Sequence, residues 1–249
     1  MPHTEIEKVL RFGMTGVMVN MAGVLLSGPL GLLVVTQTHP QPAWQDARLF
    51  LEYYHPVQTL PFFAGIALVL GYVMMIAAIH LVAAKPQRPL TLTAAMLTAA
   101  FATLIFFNYI NQTTFVPALV KNYQPDYDPL IAAFSFSNPN SLCWAIEMWG
   151  YALLGLATWF AAPVFKRTKC EKITAWLMIS NGVISIAGVV FVSGNLAWVF
   201  TPAGLASYAV WNALVFVMAV FIYISFRQRA TALQAENNST RPATPPENN

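Results

Sequence analysis

Glu147 is a carboxylic acid inside an apolar run, Ser141 to Phe165, and no other apolar run of membrane-crossing length in the chain holds an acidic residue. At helical spacing its neighbours three and four residues away are Cys143, Trp144, Gly150 and Tyr151. That face offers a small residue for close approach, two aromatic rings and a phenol able to donate a hydrogen bond. On insertion scales a charged acid near the bilayer centre costs about 2.5 to 3.5 kcal/mol, so the expected state is a neutral carboxyl pointing into a helical bundle. The amides Asn108, Asn111 and Gln112 stand at the end of another apolar run, and Tyr208 and Asn212 in the last one. With Trp144 and Tyr151 they make the expected lining of a polar pocket around Glu147. The alternative is an interhelical hydrogen-bond cluster that only fixes packing. Residue types alone leave the two open.

Other chemistries lack their residues. There is no G-x-x-x-x-G-K-[ST], H-E-x-x-H or G-x-S-x-G, and no cluster of Cys and His, so neither a metal nor a cofactor is expected. His80 stands alone near the end of a span, with no second ligand at metal-binding spacing. Ser141 and Cys143 have no candidate activating base in sequence except Glu147, which argues against a nucleophilic enzyme. The net charge of +3 comes from basic residues sorted by loop rather than gathered in a patch, so no nucleic-acid partner is expected.

The elements that must position Glu147 follow from composition. With 57% hydrophobic and 9% charged residues the chain lies far outside the soluble range. The pattern predicts an all-α integral membrane bundle over residues 1–230, with six spans at about 13–36, 57–84, 90–110, 142–165, 173–192 and 205–226. In the first span Gly16, Asn20, Gly23, Ser27 and Gly31 recur at steps of three and four, as expected of a helix-packing stripe. Residues 37–56 read as a loop with interfacial aromatics. Residues 116–140, with four prolines, read as a long connection holding one short surface helix near Leu130 to Phe136. The polar, Pro-rich segment 231–249 reads as a disordered tail on the cytoplasmic side.

With six spans, the N-terminus, the 85–89 and 166–172 loops and the C-terminus share one side. They hold all of the 13 Lys and Arg residues except Arg48 and Lys121. The positive-inside rule then predicts both termini in the cytoplasm. Cys143 and Cys170 fall on opposite sides in this topology, beyond disulfide reach. Glu147 falls in the outer half.

Asn138, Pro139, Ser141, Leu142, Trp144 and Glu147 make an N-P-x-S-L-x-W-x-x-E element that opens a span. It resembles an element of a family of bacterial multi-pass membrane proteins with no assigned activity. The resemblance implies a place in the cytoplasmic (inner) membrane and no particular chemistry. The leading expectation is a protein that binds or transports a small polar or amphipathic ligand at an outward-facing pocket, with membrane lipids as its surroundings. The alternatives are an intramembrane enzyme on a lipid or isoprenoid substrate with Glu147 as acid or base, and a structural or assembly subunit.

Overall fold

The computed structural model describes residues 3–239, and of Asn238 the backbone only. Among them are ten α-helices and no strand: α1 (His3–Ser27), α2 (Pro29–Thr38), α3 (Ala47–Tyr53), α4 (Leu60–Val82), α5 (Arg88–Ile110), α6 (Val116–Lys121), α7 (Asp128–Phe134), α8 (Leu142–Ala161), α9 (Lys169–Gly194) and α10 (Pro202–Ser239). Five helical stretches are long and apolar enough to cross a membrane: His3–Thr38, Pro56–Val82, Lys85–Lys121, Lys169–Gly194 and Pro202–Asn237. Helix α8, the remaining expected span, is not among them. Its 20 residues include Glu147, three Trp and a Tyr, which lower its hydropathy.

Several boundaries differ from expectation. Helix α1 starts ten residues before the predicted span, because Glu5 with Lys8 and Glu7 with Arg11 pair at i, i+3 and i, i+4 and favour a helix in water. It breaks at Gly28, since Pro29 has no N–H to continue the ladder. The third span does not stop near residue 110. It passes through a π turn, Asn111–Phe115, into α6, so the connection expected to start at 116 starts after Lys121. Pro117 explains the turn, for its ring would clash with the Thr113 carbonyl of a regular helix. Helix α10 continues past Phe226 to Ser239, into the segment expected as a tail. Ala230 and Leu233 pack on the same core as Leu10 and Ile6 of α1, and Gln234 Nε2 donates to Glu7 Oε1 at 2.7 Å. The rest of that tail, 240–249, lies outside the described residues. The short surface helix is α7, two residues earlier than predicted.

Helices α1, α4, α5, α8, α9 and α10 form a closed ring, each packed on the next and α10 on α1. The tightest pair is α1 with α4, along the predicted stripe. A Cβ on Gly16 would lie 2.6 Å from Met74 Cβ, and one on Gly23 would meet the backbone of Leu68. Asn20 Nδ2 donates to Leu68 O at 3.0 Å across this contact. The rim of the ring is apolar, with Met96, Trp176, Val190 and Val210 between 64% and 70% exposed. Water would not tolerate such a surface without association, whereas hydrocarbon does.

The basic connections meet at one end of the ring. There Gln87 Nε2 donates to Pro163 O at 2.6 Å and Arg229 pairs with Glu171. The other end carries a small second core. Ala47 and Phe50 of α3 pack with Val116, Leu119 and Ile131, flanked by Trp44, Tyr54 and Tyr127. Asp46 caps α3 by accepting from Leu49 N, which fixes where that helix begins.

Candidate functional site

Helix α8 is capped by Ser141, whose hydroxyl accepts from Trp144 N, and it runs antiparallel to α5. This register places Glu147 against Asn108. Gly150 permits it, because its missing side chain leaves room for Ile105 of α5. Glu147 is 8% exposed. Asn108 Nδ2 donates to Glu147 Oε2 at 2.9 Å and to Cys143 O at 2.7 Å. Tyr109 OH donates to Glu147 Oε1 at 3.1 Å and lies 3.2 Å from Tyr151 OH. Among the described residues no Lys or Arg pairs with the carboxyl; their ion pairs use Glu5, Glu7 and Glu171.

A strap of chain after α7 covers this end of the site. Gln112 Nε2 donates to Phe134 O at 2.6 Å, and its Oε1 accepts from Phe136 N at 3.2 Å. Cys143 Sγ also donates to Phe134 O, and Trp144 Nε1 donates to Phe136 O at 2.8 Å. The strap makes two backbone turns of its own, Asn138 N to Ser135 O and Ser141 N to Asn138 O, and Asn138 Nδ2 donates to Ala132 O. Gln112, Cys143 and Trp144 add side-chain bonds from beside Glu147. Aromatic rings continue outward from it, with Trp144 against Phe136 and Phe200, and Phe62 between Phe136 and Tyr109.

Of the expected lining residues, Asn108 and Tyr151 belong to the hydrogen-bonded group, while Gln112 and Trp144 secure its cover. Three do not join. Asn111, three residues on from Asn108, is turned about 60° off the line of Asn108, and its Nδ2 donates back to Phe107 O at 2.9 Å. Tyr208 is 45% exposed and within electrostatic reach of Glu147, Tyr109 and Tyr151 but is hydrogen-bonded to none of them, and Asn212 Nδ2 donates to Tyr208 O within α10. The residue that α10 does contribute is Trp211. Its ring stands edge-on to Tyr151 at 4.8 Å, and its Nε1 donates to Asn181 Oδ1 at 3.0 Å. Asn181 Nδ2 in turn donates to Thr158 Oγ1 at 3.0 Å, so polar contacts run from Glu147 towards the middle of the bundle.

Compared with known proteins, the chain matches no family model, no curated protein and no solved structure. The site therefore stands on its own geometry.

Tyr109 is the functional candidate that the residue pattern did not single out. It sits one position after Asn108, and a regular 100° step would direct it away from α8's polar face. Its long side chain reaches Glu147 because Gly65 of α4 leaves a slot against which the Tyr109 ring packs. Trp211 was hidden for another reason. An indole in a span reads as lipid-facing until Asn181 is known to lie opposite it. No group of three or more His, Cys, Asp or Glu among the described residues is placed to hold a metal ion. An apolar hollow of about 400 Å³ lies elsewhere, against Leu90, Leu156, Trp159, Phe160 and Pro163 near the basic end.

Proposed function

We propose that this chain is a six-span protein of a bacterial cytoplasmic membrane, with both termini inside, that binds or carries a small polar or amphipathic molecule at Glu147 from the outer side. The observation that carries the reading is a buried acid met, among the described residues, only by neutral donors, Asn108 and Tyr109. A carboxyl kept for packing alone gains nothing over an amide at that place. Intramembrane acids are costly and mark ligand or proton sites by default. Crossing by α8 is supported by its path: its first turns lie under the strap at one end of the ring, and Pro163, just past its last turn, meets Gln87 at the other.

Mass spectrometry of lipids and metabolites that co-purify with the protein tests the ligand. A species present with wild type and absent from Glu147→Ala is the expected result. If Glu147→Gln and Glu147→Ala both keep the wild-type set and wild-type stability, Glu147 is a packing residue. Orientation is tested separately. Lys121→Cys should react with a membrane-impermeant maleimide on intact cells, and Lys172→Cys only after permeabilisation. Cys170 is a poorer probe than its loop position suggested, since its thiol is half-buried beside Phe221 and Ser225. Reaction of Lys172→Cys on intact cells would reverse the topology.

A further inference from the structure

We propose that the Glu147 site takes a small organic cation, an ammonium group carried on an apolar or aromatic body. This rests on reading Glu147 as a ligand site and names the chemical class that fits it.

The argument is an imbalance of donors and acceptors. Both hydrogens that Asn108 Nδ2 offers are used, on Cys143 O and Glu147 Oε2. Tyr109 OH spends its hydrogen on Glu147 Oε1, and the Tyr151 hydroxyl can serve Tyr109. Unused acceptors remain. Asn108 Oδ1 is buried and has no hydrogen-bond partner. The amide cannot turn over to pair that oxygen, because Nδ2 already faces two acceptors and reversal would set oxygen against oxygen. The buried hydroxyl of Tyr72 is likewise unpartnered; its ring meets Phe101 edge-on at 6.0 Å, and Phe101 packs on Tyr151 at 5.3 Å. Paired with an ammonium, Glu147 is a carboxylate and keeps a second lone pair on each oxygen.

An anion would find one free donor here, the Tyr72 hydroxyl, and would face the Glu147 carboxyl. An ammonium is the reverse, three donors and no acceptor, and it supplies the charge that Glu147 lacks. The surrounding walls suit it too. Tyr109 touches the acid and Tyr151 touches Tyr109; Trp211 and Phe101 pack on Tyr151, and Phe62 on Tyr109. Aromatic faces attract organic cations and accept an apolar body at the same time.

The test uses full-length protein in a neutral detergent, titrated with 2-phenylethylamine, 2-phenylethanol and phenylacetate, three probes of one size that differ in charge. Binding is followed by calorimetry. The amine should bind saturably and at least tenfold more tightly than the alcohol. Glu147→Gln should cost the amine about tenfold and leave the alcohol unchanged. Tyr72→Phe, which loses an unpaired buried hydroxyl and should fold at least as well as wild type, should weaken the amine several-fold. If the alcohol or phenylacetate binds as well as the amine and is lost in Glu147→Ala, the cation class is overturned while the ligand site stands. Binding of none of the three overturns the inference. The ligand site itself then stands or falls on whether Glu147→Ala loses a co-purifying species.

Discussion

Arg229→Met should destabilise the folded protein by about 3 kcal/mol, because it strands a buried carboxylate. Glu171 is 2% exposed, and Arg229 Nε donates to its Oε1 at 2.7 Å. The other oxygen accepts from the backbone N–H of Lys166 and Arg167, and Arg229 Nη2 donates to Val164 O at 2.8 Å. The guanidinium also lies over the Phe165 ring at 5.3 Å. One ion pair therefore holds the α8–α9 turn and the inner part of α10 together. Methionine keeps most of the volume and removes the charge and both guanidinium hydrogen bonds. The measurement is the thermal unfolding midpoint in detergent, expected to fall well below wild type. The double variant Glu171→Gln with Arg229→Met should recover most of the loss, since no uncompensated charge remains. A single variant as stable as wild type would mean that water reaches Glu171 freely.

Gly71→Val should be as damaging, by overpacking rather than by charge. A Cβ at Gly71 would meet the backbone N of Asn20 and lie close to Gly16 O, atoms that belong to the main chain of α1 and cannot rotate aside. Helix α1 must then move off α4, which also breaks the bond from Asn20 to Leu68 O. Overpacking of this kind costs about 1 to 3 kcal/mol, and the branched side chain and lost hydrogen bond place it at the upper end. The expected outcome is a large fall in the monodisperse fraction on gel filtration. Gly194→Ala is the control. No atom outside the glycine's own neighbours lies within 4 Å of its built Cβ, so it should behave as wild type. Equal behaviour of the two variants would show that α1 and α4 are not packed this closely.

The two residue groups differ in how they could be read beforehand. Gly16, Asn20 and Gly23 announced their role by spacing, because helix packing is periodic and small residues at steps of three and four have few other uses. Glu171 did not. It stands among lysines in a short basic loop with nothing in its spacing to mark it, and only the meeting of that loop with α10 buries it. The tail 231–239 hid for a similar reason, since Ala230 and Leu233 are too modest an apolar stripe to declare a helix until α1 supplies the opposite face.

Composition and hydropathy by themselves determined the helical class, the apolar stretches and the sorting of charge between the two ends, because each depends on local residue type and on transfer from water to hydrocarbon. They also isolated Glu147 as the acid in an apolar run. Which groups surround it was decided by the tertiary structure. The antiparallel register of α5 on α8 chose Asn108 over Asn111, a slot at Gly65 admitted Tyr109, and closure of the ring set Trp211 edge-on to Tyr151. Helical periodicity gives each side chain a direction about its own axis. Which neighbour lies in that direction depends on how far one helix slides and turns against the next, and close packing across the whole interface sets that.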